Sequence, residues 1–295
     1  MKNKFKCPKC SSFNTVWRGY RHNKSGKKHL RKCNDCDISF TPDDGFLRMR
    51  FKKEHIVEAV SLRVNGLSIS QVVNHMWQHH GIKIDEKTVR DWVKKYSKLI
   101  RKFTDKLKPK VNGNIHSDEV IVKVKKKKAY YWGSKDRKTK FKIAGVLTEK
   151  REYENGAKKL FQKIEDKCYD EINRRKEEGE PVKFISDKLG HYKKAFNKFF
   201  LHVAELVHGV PIACKKYGLE HNNNCMERDN ERIKQRYKTM RGFKDFDDAE
   251  DMLNLMDDCY NFVNPHMFLN GRTPAEEAGL DLKLGRNKLL HLIFF

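Results

Sequence analysis

The 295-residue sequence has no apolar stretch of the length that a membrane-spanning helix needs. Its first residues, MKNKFKCPKC, are polar from the start and lack the hydrophobic segment that directs secretion. A cytoplasmic protein with no membrane partner is therefore expected. Acidic residues are scarce beside basic ones: 39 Asp and Glu stand against 64 Lys and Arg, for a formal net charge of +25. Core-forming residues are not scarce, because 38% of the chain is hydrophobic and aromatics recur throughout, which excludes a disordered basic tail. A folded chain with such an excess of positive charge usually faces phosphates, most often those of nucleic acid. The eight cysteines do not suggest a disulfide framework. Four sit in two tight pairs and four are scattered, as in a reducing compartment.

The paired cysteines are CPKC at 7–10 and CNDC at 33–36. Two Cys-x-x-Cys pairs on separate hairpins can present four thiolates tetrahedrally, so Cys7, Cys10, Cys33 and Cys36 are expected to hold one structural Zn2+ in a ribbon over 1–45. The competing reading, two redox dithiols, would want a βαβ setting that is missing. Gly19 and Gly26 allow turns between the pairs, and Trp17, Tyr20 and Leu30 are expected to form a very small core. Arg18, Arg21, Lys24, Lys27, Lys28, Arg31 and Lys32 are either a solvated rim or a phosphate-contacting one.

Residues 51–103 read as three helices inside a second domain, 46–106. EHIVEAVSLRVNG ends at Gly66; Ser68 caps ISQVVNHMWQHH, which ends at Gly81; Asp85 caps EKTVRDWVKKYSKLIRKF. A short second helix followed by a third carrying Lys87, Thr88, Arg90 and Lys94 suits a helix-turn-helix whose third helix enters the major groove. A three-helix protein-interaction bundle would give the same pattern. Trp92 belongs to the core in either case. DKLKPKVNGN (105–114) reads as a linker.

A third domain, 112–280, begins with three probable strands at 115–124, 129–135 and 140–148. Alternation in the first puts Asp118 on the face of Val120, Val122 and Val124, and Glu119 on the other face. A long helix follows at 154–177, then a short apolar strand ending in Asp187, the helix HYKKAFNKFFLH, and VHGVPIAC as another short strand. Antiparallel strands followed by alternating helices and strands predict an α/β domain with a mixed sheet, with Asp118 and Asp187 at strand ends, where ligands collect. In HNNNCMERDNERIKQRYKTMRGFKDF (221–246), the apolar residues Met226, Ile233, Tyr237 and Met240 define a buried stripe, and Glu227 lies at its margin. Three convergent carboxylates are the oxygen donors Mg2+ wants. A pair of such ions, roughly 4 Å apart, can assist in-line phosphoryl transfer. Arg232, Lys234, Arg236, Lys238 and Arg241 would then contact the phosphate backbone, although Arg232 and Arg236 could instead be tied within their own helix. Residues 281–295 form a C-terminal tail.

These motifs, in this order, resemble the DDE transposases of small prokaryotic insertion sequences. HSDEVIVKVKKKKAYYWGSKDRKTK is similar to the strand and hairpin of the first Asp, ISDKLGHYKKAF to the motif of the second, and HNNNCMERDNERIKQRYKTMRGFKDFDDAE to the motif of the Glu. YNFVNPHMFLNGRTPAEEAG resembles the segment that follows. The resemblance implies a ribonuclease H-like, integrase-like catalytic core, with Asp118, Asp187 and Glu227 as catalytic residues and Glu119 as a non-catalytic neighbour. It also implies Mg2+ (or Mn2+) as cofactor, and double-stranded DNA as partner at both element ends and target. The implied activity is hydrolysis of a phosphodiester to free a 3′-OH, then joining of that hydroxyl to target DNA. A homodimer or larger synaptic assembly in the nucleoid goes with it. The alternatives are a domesticated, sequence-specific regulator that has lost catalysis, and a nuclease of the same fold without strand transfer.

Overall fold

The computed structural model describes residues 5–23, 26–187, 189–208, 223–240 and 242–295. The first element is a three-stranded antiparallel sheet, β1 (Thr15–Asn23), β2 (Gly26–Cys33) and β3 (Ser39–Phe40). Among its described residues this ribbon has no second layer over it and buries only Cys7, Cys33 and Phe40, with Cys36 and Ile38 packed beside them. The expected core of Trp17, Tyr20 and Leu30 does not form. Trp17 and Tyr20 are 56% and 44% exposed and lean edge-to-face on each other.

Three helices follow: α1 (Lys53–Val64), α2 (Ile69–His80) and α3 (Glu86–Thr104). Their ends follow the local chemistry. Ser68 and Gln71 form a reciprocal capping box at the start of α2, and Gly81 closes it in the left-handed conformation. Asp85 accepts from the Thr88 N–H at the start of α3. Trp92 is buried, as expected.

The second sheet has five strands in the order β6-β5-β4-β7-β8: β4 (Ile115–Val124), β5 (Lys127–Asp136), β6 (Lys142–Thr148), β7 (Lys183–Ser186) and β8 (Glu205–His208). β4, β5 and β6 pair antiparallel, while β7 runs parallel to both β4 and β8. This is the mixed sheet expected, of the ribonuclease H-like kind. Helices α4 (Lys158–Glu177) and α5 (Gly190–Phe199) connect its parallel half. One wide π-turn, Tyr153–Ala157, opens the helix expected at 154–177, and Gly156 at that turn leaves no space for a side chain against the Trp132 indole. The expected strand VHGVPIAC is described only as far as His208.

Helix α6 (Asn224–Thr239) carries the third motif. Helix α7 (Phe246–Asp258) then packs along α3, where Ser97 Oγ donates to the Asp251 carbonyl at 2.5 Å and Thr104 Oγ1 to Asp258 at 3.0 Å. Two short helices, α8 (Pro274–Glu277) and α9 (Lys288–Ile293), complete the chain. The segment expected only as a tail thus ends in a helix whose Leu289, Leu290, Leu292 and Ile293 are buried. One apolar cluster runs without a break from Phe46 to Ile293, so the three helices and the five-stranded sheet share a core that the ribbon does not. Among the described residues no helix is long and apolar enough to cross a membrane.

Candidate active site and metal centres

β4 and β7 are aligned so that Ile115 faces Phe184 and His116 faces Ile185. Continued by two residues, that register brings Asp118 opposite Asp187, just past the end of β7. The two aspartates, 69 residues apart in sequence, are therefore set side by side by parallel pairing alone. Their carboxylate oxygens, with one from Glu119, lie within 4.8 Å of one another.

Each of the three carboxylates is held differently. Asp118 Oδ2 accepts from Asn230 Nδ2 on α6 at 2.9 Å. Glu119 accepts from the Tyr192 hydroxyl of α5 at 2.7 Å and is paired with Arg151, whose guanidinium also lies 3.8 Å from Asp187. Asp187 accepts from the Leu189 N–H. Burial, then the negative charges of Glu119 and Asp187, push the Asp118 carboxyl up to about 7 against the opposing bond from Asn230. A carboxylate crowded in this way by two others is a site that a hard cation would relieve. The donors are all oxygen, so the residues fit Mg2+ or Mn2+.

Glu227 is not part of this convergent set. It lies in the first turn of α6 and is exposed. Its helix is nonetheless anchored at the site on both sides of it. Asn223 lies 3.2 Å from His116 Nδ1 and donates to the Ser117 carbonyl, and Asn230 reaches Asp118. Residues 223, 227 and 230 follow helical spacing along one face, so Glu227 stands between two contacts to 116–118. Met226, beside it, is buried, with its methyl against Gly133 of β5, where a Cβ would meet it at 3.2 Å. His116 is buried and its imidazole is lowered to about 4 by desolvation, so it is neutral.

In the ribbon, the Sγ atoms of Cys7, Cys10, Cys33 and Cys36 lie within 4.8 Å of one another, with Cys7–Cys36 at 3.6 Å and Cys10–Cys33 at 3.5 Å. Desolvation opposes ionisation of Cys7, but the N–H groups of Cys10 and Lys9 bring its thiol down to about 6. Four sulfur donors, one already inclined to be thiolate, fit Zn2+.

The basic residues picked out from the sequence divide into two groups. Lys87 on α3, and Lys234 and Lys238 on α6, are exposed. Arg90 and Lys94 line a cleft between α3 and α7, with Lys94 3.7 Å from Asp248, and Thr88 is half-buried beside its cap. Arg232 does not face outward as expected. Its guanidinium lies over the Tyr260 ring at 4.0 Å and 4.0 Å from both Asp229 and Asp257. Arg236 is half-buried near Gly66, and Arg241 lies outside the described residues. Asp229 is the larger omission from the sequence reading. It is buried between Lys135 at 3.2 Å and Lys142 at 3.5 Å, and Lys142 also meets Asp257 at 2.6 Å.

Residues 112–262, just over half of the chain, match the DDE domain of the family DDE_Tnp_IS240. Among solved structures, the chain is similar to the HTLV-2 integrase catalytic core domain in complex with magnesium. That likeness has 13% identity and a TM-score of 0.34, over 57% of this chain and 96% of that one. It is also similar to the catalytic core domain of BIV integrase, at 13% identity and a TM-score of 0.37, over 56% and 91%. A third match is the simian T-cell lymphotropic virus intasome in complex with PP2A regulatory subunit B56 gamma, at 7% identity and a TM-score of 0.37, over 75% and 72%. No curated protein matches.

Proposed function

This chain belongs to the DDE_Tnp_IS240 family of DDE domains, and on that premise we propose that it is a DNA transposase acting on the ends of an insertion sequence in the prokaryotic nucleoid. The observation that carries the reading is the register that sets Asp118 against Asp187, with α6 pinned beside them by Asn223 and Asn230. Asp118 and Asp187, joined by Glu227, would hold Mg2+ or Mn2+. When bound, the ions would polarise a phosphodiester and favour ionisation of an attacking hydroxyl.

Water adds to phosphorus at the element end, the P–O3′ bond breaks, and the 3′ oxygen leaves with a proton as a hydroxyl. That hydroxyl then attacks a target phosphorus, displacing the target's own 3′ oxygen. Asn230 orients Asp118 through both steps, and Arg151 and Tyr192 keep Glu119 in place at the margin. Lys234 and Lys238 offer phosphate contacts along α6, and Lys87 does so at the start of α3, the helix proposed to read the end sequence. The four-cysteine ribbon would be closed by one Zn2+, and two ends require at least two copies of the chain.

The test is Mg2+-dependent nicking and joining of an end-containing duplex by Glu227→Gln, with Glu231→Gln, one turn further on, as control. Glu227→Gln is expected to lose both activities while folding and binding DNA normally, and Glu231→Gln to be mild. Near-normal turnover by Glu227→Gln would remove it from the site. One observation favours a second reading, a DNA-binding regulator without catalysis: Glu227 is exposed and outside the convergent set. That reading expects the wild-type protein to bind ends and cut nothing.

A further inference from the structure

Glu58 of α1 faces the last two turns of α2, where both of its carboxylate oxygens meet imidazoles. His75 Nε2 lies 2.9 Å from Oε1, and His80 Nε2 lies 3.0 Å from Oε1 and 2.9 Å from Oε2. The three donor atoms fall within 4.8 Å of one another. Around them the His55 ring lies against His80 at 4.9 Å and the His79 ring against His75 at 4.3 Å.

The setting asks for a tie at this place. Only Val72 and Met76 of α2 are fully buried, so the helix is thinly held by apolar packing. The two ligating histidines are separated by four residues, within the spacing that helical zinc ligands use. They reach one carboxylate from a different helix. Two imidazole nitrogens and a carboxylate oxygen are a donor set that suits borderline transition ions and not Mg2+. This group is separate from the carboxylates beside β7 and from the cysteine ribbon.

We propose that Glu58, His75 and His80 form a further metal site for a divalent transition ion, zinc or nickel, which fastens α2 to α1. The ion replaces the hydrogen bonds that now join the two imidazoles to Glu58. Its fourth position is left to solvent, because the ligands are only partly covered. Its effect is to stiffen the helix that sits between α1 and α3.

Nickel titration of the full chain carrying a single zinc, which the four thiolates take, tests the proposal by calorimetry in excess Mg2+, because Mg2+ masks the carboxylate site and the one zinc fills the cysteines. About one nickel per chain is expected for wild type and for His79→Gln, whose nitrogens lie outside the convergent set. Glu58→Gln and His80→Gln should bind it at least roughly ten-fold more weakly. Nickel should raise the melting temperature of the first pair of proteins and not of the second, and equal melting without nickel shows that all four are folded. No nickel bound by wild type, or equal binding by His80→Gln, would mean that Glu58 is a hydrogen-bond acceptor and nothing more.

Discussion

Asn230 Nδ2 donates to Asp118 Oδ2 at 2.9 Å, joining α6 to the most perturbed carboxyl of the site. In the proposed enzyme this bond fixes which oxygen of Asp118 is free for a cation. Asn230→Ala is expected to raise the Mg2+ concentration needed for nicking and to slow it by roughly 10–100-fold, as loss of such a supporting bond does elsewhere. An unchanged Mg2+ titration would show that the orientation of Asp118 is set without it.

The two kinds of basic residue on α6 should respond differently. Lys238 is exposed, so Lys238→Ala should weaken binding to every DNA sequence and lower the salt slope by nearly one. Arg232 lies against Tyr260, and Arg232→Ala should cost stability instead, about 2 kcal/mol for a desolvated cation–π contact. Urea unfolding beside a salt series of DNA binding separates the two effects, and a large salt-slope change for Arg232→Ala with no loss of stability would reverse the assignment.

Because the ribbon shares no core with the remainder, metal removal should be a local event. Purified protein is expected to carry about one zinc per chain in the cysteine site. Cys33→Ser, or chelation, should unfold 5–45 and weaken DNA binding while the main melting transition keeps its midpoint. A joint collapse of both would show that the ribbon supports the whole fold.

Asp105 lies 3.0 Å from both Arg101 and Lys167, clasping α3 to α4. Burial raises its carboxyl, but Arg101 and Lys167 outweigh that and hold it below the usual range. A depressed pKa contributes stability that is fully present above the unfolded value of roughly 4 and is lost as pH falls through the folded one. Asp105→Asn should therefore be less stable than wild type at neutral pH by about 1 kcal/mol, given its partial exposure. The difference should shrink steadily toward pH 3, read from urea midpoints. A constant difference across that range would assign the loss to packing.

Much of this was legible because strands advertise their faces. The alternation at 118–124 put Asp118 on the covered side, and the short apolar run before Asp187 marked a strand end; register did the rest. What sequence did not disclose depends on partners far away in the chain. Tyr192 and Arg151 reach Glu119, and Asp229 is neutralised by lysines on β5 and β6, pairings that no local pattern encodes. Trp17 and Tyr20 misled for a physical reason: a lone ribbon has one layer, so its aromatics have nothing to be buried under. Helix α7 was hidden by its acidity, since Asp257 and Asp258 are buried only because Thr104, Arg101, Tyr131 and Lys142 meet their carboxylates.

Helix α3 takes part in two sets of packing at once. Its first turns close the three-helix unit through Val89 and Trp92, and its last turns are bonded to α7 through Ser97 and Thr104. Its 19 residues run unbroken for about 28 Å. In the proposed enzyme the part that reads DNA and the part that cuts it are therefore the two ends of one rod, and the rod acts as a gauge. The distance from the bases it would recognise to the bond it would sever would then follow the length of a single helix. Its pitch would set the angle between them, so one inserted residue would turn the proposed reading face by about 100° away from the DNA ends it would measure.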